Sequence, residues 1–174
     1  SILYFITKIG YKSFFKAIFP AQMLAFSTSS SAATLPLTMK RVNKNLNVSE
    51  EVTSFVCPLG ATINMDGTSI HQAISAVFIA QAFGQDLTIA DQLVIIVTAT
   101  LSSIGAAAVP GAGLIMLVIV LEAVGIDPQG LALIIAIDRP LDMCRTIVNV
   151  TGDATVASIV AYSEGENVKF NEDE

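Results

Sequence analysis

Ile134-Ile-Ala-Ile-Asp138-Arg-Pro-Leu-Asp142-Met-Cys-Arg145-Thr-Ile-Val-Asn149-Val-Thr-Gly-Asp153 constrains how the rest of the chain can be arranged. Wound as an α-helix, it brings Asp138, Asp142, Arg145, Asn149 and Asp153 into an arc of about 80°. The remaining surface is largely apolar, with Leu133, Ile134, Ile137, Leu141, Ile147, Val148 and Val150. The solvated face of a surface helix would give the same stripe, but the flanks argue against it. Neither Leu131 to Ile137 nor Ala154-Thr-Val-Ala-Ser-Ile-Val-Ala161 carries a charge. Carboxylates, an arginine and an amide in so apolar a segment predict a helix within a membrane, its stripe turned toward a protein interior or a water-filled cavity. On that reading the stripe is a binding site.

Composition agrees. Of 174 residues, 53% are hydrophobic and only 14% charged, against a usual charged share of about 25%, and the mean hydropathy is +0.67. No Lys or Arg occurs between Lys44 and Arg139. The expected class is an integral membrane protein in the plasma (cell inner) membrane, with the lipid bilayer as a partner and no nucleic acid, since there is no basic footprint. The net charge of −6 comes largely from an acidic tail, residues 163–174, expected in the cytoplasm. Cys57 and Cys144 sit in apolar surroundings, with no metal or disulfide spacing. The chain begins at Ser1, and Ser1-Ile-Leu-Tyr-Phe-Ile6 reads as the end of a helix already under way, so a preceding portion is expected.

Residues 1–16 are expected to hold the end of that helix and a basic cytoplasmic loop (Lys8, Lys12, Lys16). Lys40, Arg41 and Lys44 form a second basic cluster. Basic flanks favour the cytoplasmic side, so the apolar segment between them must enter and return. Each arm falls short of the roughly 20 residues that a crossing needs. The prediction is a re-entrant helical hairpin over 17–44 with a serine-rich tip. Residues 49–84 then read as a transmembrane helix unwound at Asn64-Met-Asp-Gly-Thr68, since non-helical backbone in a bilayer must be buried in protein or line a cavity. A second hairpin, 87–126, turns at Ser102-Ser-Ile-Gly-Ala-Ala-Ala-Val-Pro-Gly-Ala-Gly113. The polar helix, 128–162, closes a core that spans 17–162.

The two halves echo each other. Ala32-Ala-Thr-Leu-Pro36 matches Ala106-Ala-Ala-Val-Pro110, and Asn64-Met-Asp-Gly-Thr68 matches Asn149-Val-Thr-Gly-Asp153. The first half would start in the cytoplasm and the second outside. The fold class predicted is therefore an all-α membrane protein of two inverted repeats, each a hairpin plus a transmembrane helix. Interrupted hydrophobic segments in corresponding positions of two repeats point to a transporter site at their interface.

Ser29-Ser-Ser31 with Thr34-Leu-Pro36, Asn64-Met-Asp-Gly-Thr68, Val109-Pro-Gly-Ala-Gly113 and Asp142 to Asp153 together resemble the glutamate transporter family, the dicarboxylate/amino acid:cation symporters. The resemblance covers nearly all of 17–162 and matches the C-terminal, transport-domain half of a member. It implies sodium-coupled symport of L-aspartate or L-glutamate by alternating access, in a homotrimer when full length, with a C4-dicarboxylate as the alternative substrate. It implies no enzyme and no cofactor, sodium being a co-transported ligand.

By the same resemblance, Arg145 would hold the side-chain carboxylate of the substrate and Asp142 its ammonium. Asn149 and Ser29, Ser30 and Ser31 would take the α-carboxylate. Thr68, Thr146 and the backbone of Val109, Pro110, Gly111, Ala112 and Gly113 would close over the ligand. One sodium would use backbone oxygens of Gly60, Asn64 and Asn149 with the Asp153 carboxylate. A second would lie among carbonyls of Thr62, Met65, Ser103, Ile104 and Ala106, and a third would use Asp66 and Asn64. The chemistry suits the residues: arginine recognises carboxylates bidentately, and sodium, a hard cation, suits oxygen ligands.

The chain departs from the family at His71, where many members carry Tyr, and at Gln72, where vertebrate transporters carry a Glu thought to accept a proton. The resemblance therefore gives no ground here for proton or potassium coupling. Arg139 is placed differently from the second arginine found near the site in some relatives. A Ser30/His71/Asp66 hydrolase lacks a nucleophile elbow. An intramembrane aspartyl protease would bring two acids together without an arginine such as Arg145 between them. A channel suits re-entrant serine tips at a closed midplane less well than occlusion does.

Overall fold

The computed structural model describes residues 2–172, and all its described elements are helical. Their ends are set by local chemistry. A short α1 (Ile2–Thr7) precedes α2 (Tyr11–Thr28) and α3 (Ser31–Leu46), a helical hairpin. Ser29 closes α2 in the left-handed region (φ 53°), its N–H bonded to the Ala25 carbonyl, and Ser30 opens α3 with its Oγ accepting from Ala33 N. The left-handed conformation costs a non-glycine residue about 1–2 kcal/mol, so the hairpin tip stores strain at a serine. Ser49 caps α4 (Glu50–Ile63), with Glu50 and Glu51 at the positive end of the helix. α5 (Asp66–Ala82) follows. A reciprocal Thr88–Asp91 capping box opens α6 (Ile89–Ile104), and residues 105–111 lead from it into α7 (Ala112–Ala123). A 3₁₀ turn (Pro128–Leu131) then feeds α8 (Ala132–Ser163), 32 residues long, or about 48 Å.

α8 is the axis. Around its C-terminal half, Ala154, Ala157 and Ala161 pack with Phe14 and Ile18 of α2 and Val42 and Leu46 of α3. Around its N-terminal end, Ile134 packs with Ile79 of α5, Ile95 of α6 and Leu117 and Leu121 of α7. The two hairpins thus approach α8 from opposite ends, and their tips meet midway. Ser30 Oγ donates to the Ala108 carbonyl at 2.8 Å, and Ala32 N to the same oxygen at 3.3 Å. Many large apolar side chains face outward, Phe55, Ile74, Ile89, Leu101 and Ile115 each about two-thirds or more exposed. A surface of this kind is built to be covered.

Four expectations change. Lys12 and Lys16 lie on α2, not in a loop, because the helix begins at Tyr11. The break in the 49–84 segment is narrower than Asn64–Thr68: only Asn64 and Met65 leave the helix, and Asp66, Gly67 and Thr68 form the first turn of α5. An acid in that first turn complements the helix dipole, and Asn149 Oδ1 accepts the Gly67 N–H that has no intrahelical partner, at 2.8 Å. Among the described residues no helix is long and apolar enough to cross a membrane. The break leaves arms of 14 and 17 residues, and α8 has the length but carries Asp138, Arg139, Asp142, Arg145 and Asp153.

The fourth change concerns the acidic tail, which is a strap. Glu166 accepts from Ser49 Oγ (2.6 Å) and Ser49 N (2.8 Å). Lys169 N donates to Leu46 O at 3.2 Å and Asn171 N to Asn45 O at 2.9 Å. The Lys16–Glu172 pair at 2.7 Å is exposed; the lysine, by hydrogen bond and then charge, holds the Glu172 carboxyl below its usual range, though solvent screens such a pair. Ser1, and Asp173 and Glu174 of the expected tail, lie outside the described residues. Because Ser49 both caps α4 and anchors the strap, Ser49→Ala should lower the stability of the purified full-length protein by about 1–2 kcal/mol. Ser49→Thr should lose much less. An unchanged Tm for the alanine variant would contradict this.

Candidate functional site

Where the tips meet, they close over the polar stripe of α8, whose side chains are held by one another, by the second tip and by the α4–α5 break and the start of α5. Arg145 Nε donates to Asp142 Oδ1 at 2.8 Å. The other Asp142 oxygen accepts from Gly111 N, in the second tip, at 2.8 Å. Thr146 Oγ1 turns back to the Asp142 carbonyl at 2.8 Å. One turn on, Asn149 bridges to α5: besides accepting from Gly67 N, its Nδ2 lies 3.3 Å from both Thr68 Oγ1 and Met65 Sδ. Asp153 Oδ1 accepts from Asn64 Nδ2 at 2.9 Å.

Glycines permit this closeness. A Cβ on Gly60 would collide with the Asp153 carboxylate, one on Gly67 with the Arg145 carbonyl, and one on Gly113 would lie 2.8 Å from Arg145 Nη1. At Gly152 it would sit 2.6 Å from Asn64 Nδ2 and 2.8 Å from Asp66 Oδ2. At Gly67 the neighbour is backbone, so α5 approaches α8 this closely only because a side chain is missing; at the other three positions a Cβ would press on side chains of the site.

Between the tips and α8 is a cavity of about 20 Å³, room for about one water. Its walls are Ser29 and Ser31 of the first tip, Met65 and Thr68 at the break, Ala106, Ala107, Ala108, Val109 and Gly113 of the second tip, and Asp142, Arg145, Thr146 and Asn149 of α8. Two of these residues carry a buried polar atom with no hydrogen-bond partner among the described residues: Ser29 Oγ and Arg145 Nη2. Unsatisfied buried polar atoms are rare enough that each calls for a reason.

Of the other expected substrate residues, Ser30 spends its hydroxyl on the cap and the tip-to-tip bond, Gly111 reaches the site through its N–H, and Pro110 and Ala112 are not in the cavity wall. The residues expected around sodium fall into separate groups. Gly60, Asn64 and Asp153 converge on one point, Asn149 being one turn of α8 away. Met65 and Ser103 are joined through Ser69, whose Oγ lies 2.6 Å from Ser103 Oγ and 3.3 Å from Met65 O. Asp66, Thr62 and Ile104 are exposed, and Ala106 is buried in the second tip.

The structure brings to the site three residues to which the resemblance gives no part in holding substrate or sodium. His71 Nδ1 lies 3.0 Å from Arg145 Nη1, and Asp138 Oδ1 lies 3.6 Å from the same nitrogen. Gln72 Nε2 donates to Gly113 O at 3.2 Å, and Ser102 Oγ donates to Gln72 Oε1 at 2.7 Å. A signal was present: His71 and Gln72 lie three and four residues after Thr68, on its face of α5, and Asp138 belongs to the α8 stripe.

Comparison with known proteins places this geometry in context. The profile of the sodium:dicarboxylate symporter family matches residues 1–163. Excitatory amino acid transporter 5 of Homo sapiens is 46% identical over 161 residues, covering 92% of this chain and 29% of its own length. An excitatory amino acid transporter of Caenorhabditis elegans is 47% identical over 161 residues, covering 92% and 32%. Excitatory amino acid transporter 2 of Homo sapiens is 46% identical over 162 residues, covering 92% and 28%. The chain thus spans about three-tenths of the length of these curated relatives.

Proposed function

The chain belongs to the sodium:dicarboxylate symporter family, and from that premise we propose that it forms the binding core of a secondary transporter that carries an acidic amino acid, aspartate or glutamate, across the plasma membrane with sodium. One observation carries the substrate class: Arg145 is buried, has Nη2 unpartnered, and shares its cavity with Asp142. The guanidinium suits the side-chain carboxylate of the substrate and Asp142 its ammonium, which would take the place of the Gly111 N–H. Ser29 Oγ and Asn149 are then available to the α-carboxylate, with Thr68, Thr146 and the Ser31 end of the first tip around it. The relatives named as excitatory amino acid transporters support this reading.

A cavity of about 20 Å³ is far below the few hundred that ligand pockets usually offer, so substrate entry requires a tip to withdraw. The second tip is the mobile one in this proposal. It is held by the Gly111–Asp142 and Ala108–Ser30 bonds and built of small residues, whereas the strap fixes the base of the first hairpin. Hairpins that approach α8 from opposite ends support the inverted-repeat, re-entrant arrangement, and the apolar exterior supports a lipid-facing or subunit-facing surface. A homotrimer of the full-length protein, with alternating access, completes the reading.

Sodium would bind as co-transported cargo. Asp153, with backbone oxygens of Gly60, Asn64 and Asn149, offers one charged oxygen site. The Met65–Ser103 region, with Thr62, Ile104 and Ala106, offers a second, and Asp66 with Asn64 a third. Left without a cation, Asp153 is a nearly buried carboxylate with Asn64 as its polar partner, a costly state in an apolar setting. Asp153→Asn should weaken sodium binding to the full-length protein by about tenfold or more and, by linkage, weaken aspartate binding at limiting sodium. Sodium titrations read by calorimetry would test it; aspartate affinity indifferent to sodium in the parent would end the coupling claim. A C4-dicarboxylate is the second reading, favoured by the family's own description. It would set a second carboxylate against Asp142, where an ammonium would be neutralised.

A further inference from the structure

His71 is the chain's one histidine, and it stands against the arginine that the proposed function assigns to the substrate. Arginine stays cationic and can only donate hydrogen bonds. The 3.0 Å contact between Arg145 Nη1 and His71 Nδ1 therefore makes Nδ1 the acceptor and puts the ring hydrogen on Nε2, a neutral imidazole. Nε2 faces Asp138 Oδ1 at 3.7 Å, beyond hydrogen-bond reach. Both of these buried atoms lack a hydrogen-bond partner among the described residues, Asp138 Oδ1 having only an ion-pair approach of 3.6 Å to Arg145 Nη1.

The surroundings define the charge balance. α5 packs against α6, α7 and α8. From α8, Asp138, Asp142 and Arg145 face the imidazole. The acids of α6 and α7, Asp91 and Glu122, lie at the helix ends away from the tips, and Arg139 points outward and is exposed. With His71 neutral, two carboxylates stand against one guanidinium, a net negative charge where an anionic substrate must bind.

We infer that His71 is the positioning residue for Arg145 and that a proton on it releases the guanidinium from α5 to the substrate carboxylate. The inference rests on the acidic-amino-acid reading of the site. A proton from solvent adds to Nδ1, which then carries N–H and can no longer accept from Arg145 Nη1. That hydrogen bond breaks. The imidazolium closes its Nε2–H onto Asp138, forming a charge-assisted pair in place of two unpartnered atoms. The guanidinium, still tied through Nε to Asp142, turns Nη1 and Nη2 toward the cavity. The local charge rises from −1 to zero, so carboxylate and proton favour each other, and by reciprocity substrate binding draws a proton onto His71.

The test is calorimetry of aspartate binding to the full-length protein in saturating sodium, in buffers of different ionisation enthalpy, with affinity followed from about pH 8 to about pH 6. The parent should take up close to one proton per aspartate near pH 6 and bind about tenfold tighter there than near pH 8. His71→Asn offers an amide oxygen near the Nδ1 position but cannot take the proton; its uptake should vanish and its affinity should stop changing with pH. Asp138→Asn removes the counter-ion of the imidazolium and should reduce the uptake, an independent readout if His71→Asn does not fold. Equal proton uptake in the parent and in either variant, or none in the parent, overturns the inference. Aspartate binding that fails in the parent at every pH would instead sink the substrate reading, so the two failures are distinguishable.

Discussion

Arg145→Cys is expected to lose affinity for aspartate by about a hundredfold or more and to gain small neutral amino acids as ligands. The arginine is 5% exposed, and an acidic side chain that reaches a cysteine there meets no compensating charge. Breaking a buried ion pair by removing one partner costs about 3–5 kcal/mol, which converts to a factor of a hundred upward. Asp142 survives in this variant and still suits an ammonium, so amino acids remain ligands while the acidic preference goes. Arg145→Lys should not rescue, because a lysine cannot hold Asp142 through one nitrogen and present two others to a carboxylate. Competition binding with aspartate, alanine and serine on the full-length protein reads this directly. An Arg145→Cys protein that binds aspartate within a few-fold of the parent would contradict the assignment.

Gly67→Ala should also weaken binding, for a reason that involves no charge. The added Cβ would lie 2.8 Å from the Arg145 carbonyl carbon and closer still to its oxygen. Both are backbone of α8, which cannot swing aside as a side chain does. The first turn of α5 would have to back away from α8, breaking the Gly67 N–Asn149 Oδ1 bond and moving Thr68 and Met65 off the cavity. Overpacking of this kind costs about 1–3 kcal/mol, and displacement of a binding wall adds to it. We expect aspartate and sodium affinities to fall together by about tenfold or more. Gly10→Ala is the control, since nothing lies within 4 Å of its added Cβ. Equal affinities for the Gly67→Ala protein and the control would contradict the close packing described here.

Both effects depend on features that differ in how legible they are in the sequence. The α8 stripe could be read because helical period is a local property: five polar residues at spacings of three and four declare a face wherever the helix sits. Tip residues were legible for a similar reason, as serines, alanines and glycines neither continue a helix strongly nor need a core. The interruption at Asn64 is legible but its length is not, because the propensity of Gly67 to loosen a helix is overridden once Asn149 accepts its N–H. What could not be read is register between helices. Helical spacing puts His71 and Gln72 on the Thr68 face of α5, but it does not say that His71 meets Arg145 or that Gln72 reaches the carbonyl of Gly113. The strap pairs Asn171 with Asn45 across more than a hundred residues, and acidic composition alone points only to a cytoplasmic tail. Exposure of Asp66 belongs to the same class, since the identity of an acid does not tell which side of α5 it will take.

The proposed site takes an acidic amino acid together with sodium. Its most direct test is uptake of labelled aspartate by the full-length protein in proteoliposomes, with and without an inward sodium gradient and with unlabelled succinate as competitor. Uptake should require the gradient and be abolished by excess aspartate, while succinate at the same concentration should leave most of it intact. Uptake that proceeds without sodium, or that succinate suppresses as well as aspartate does, would contradict it.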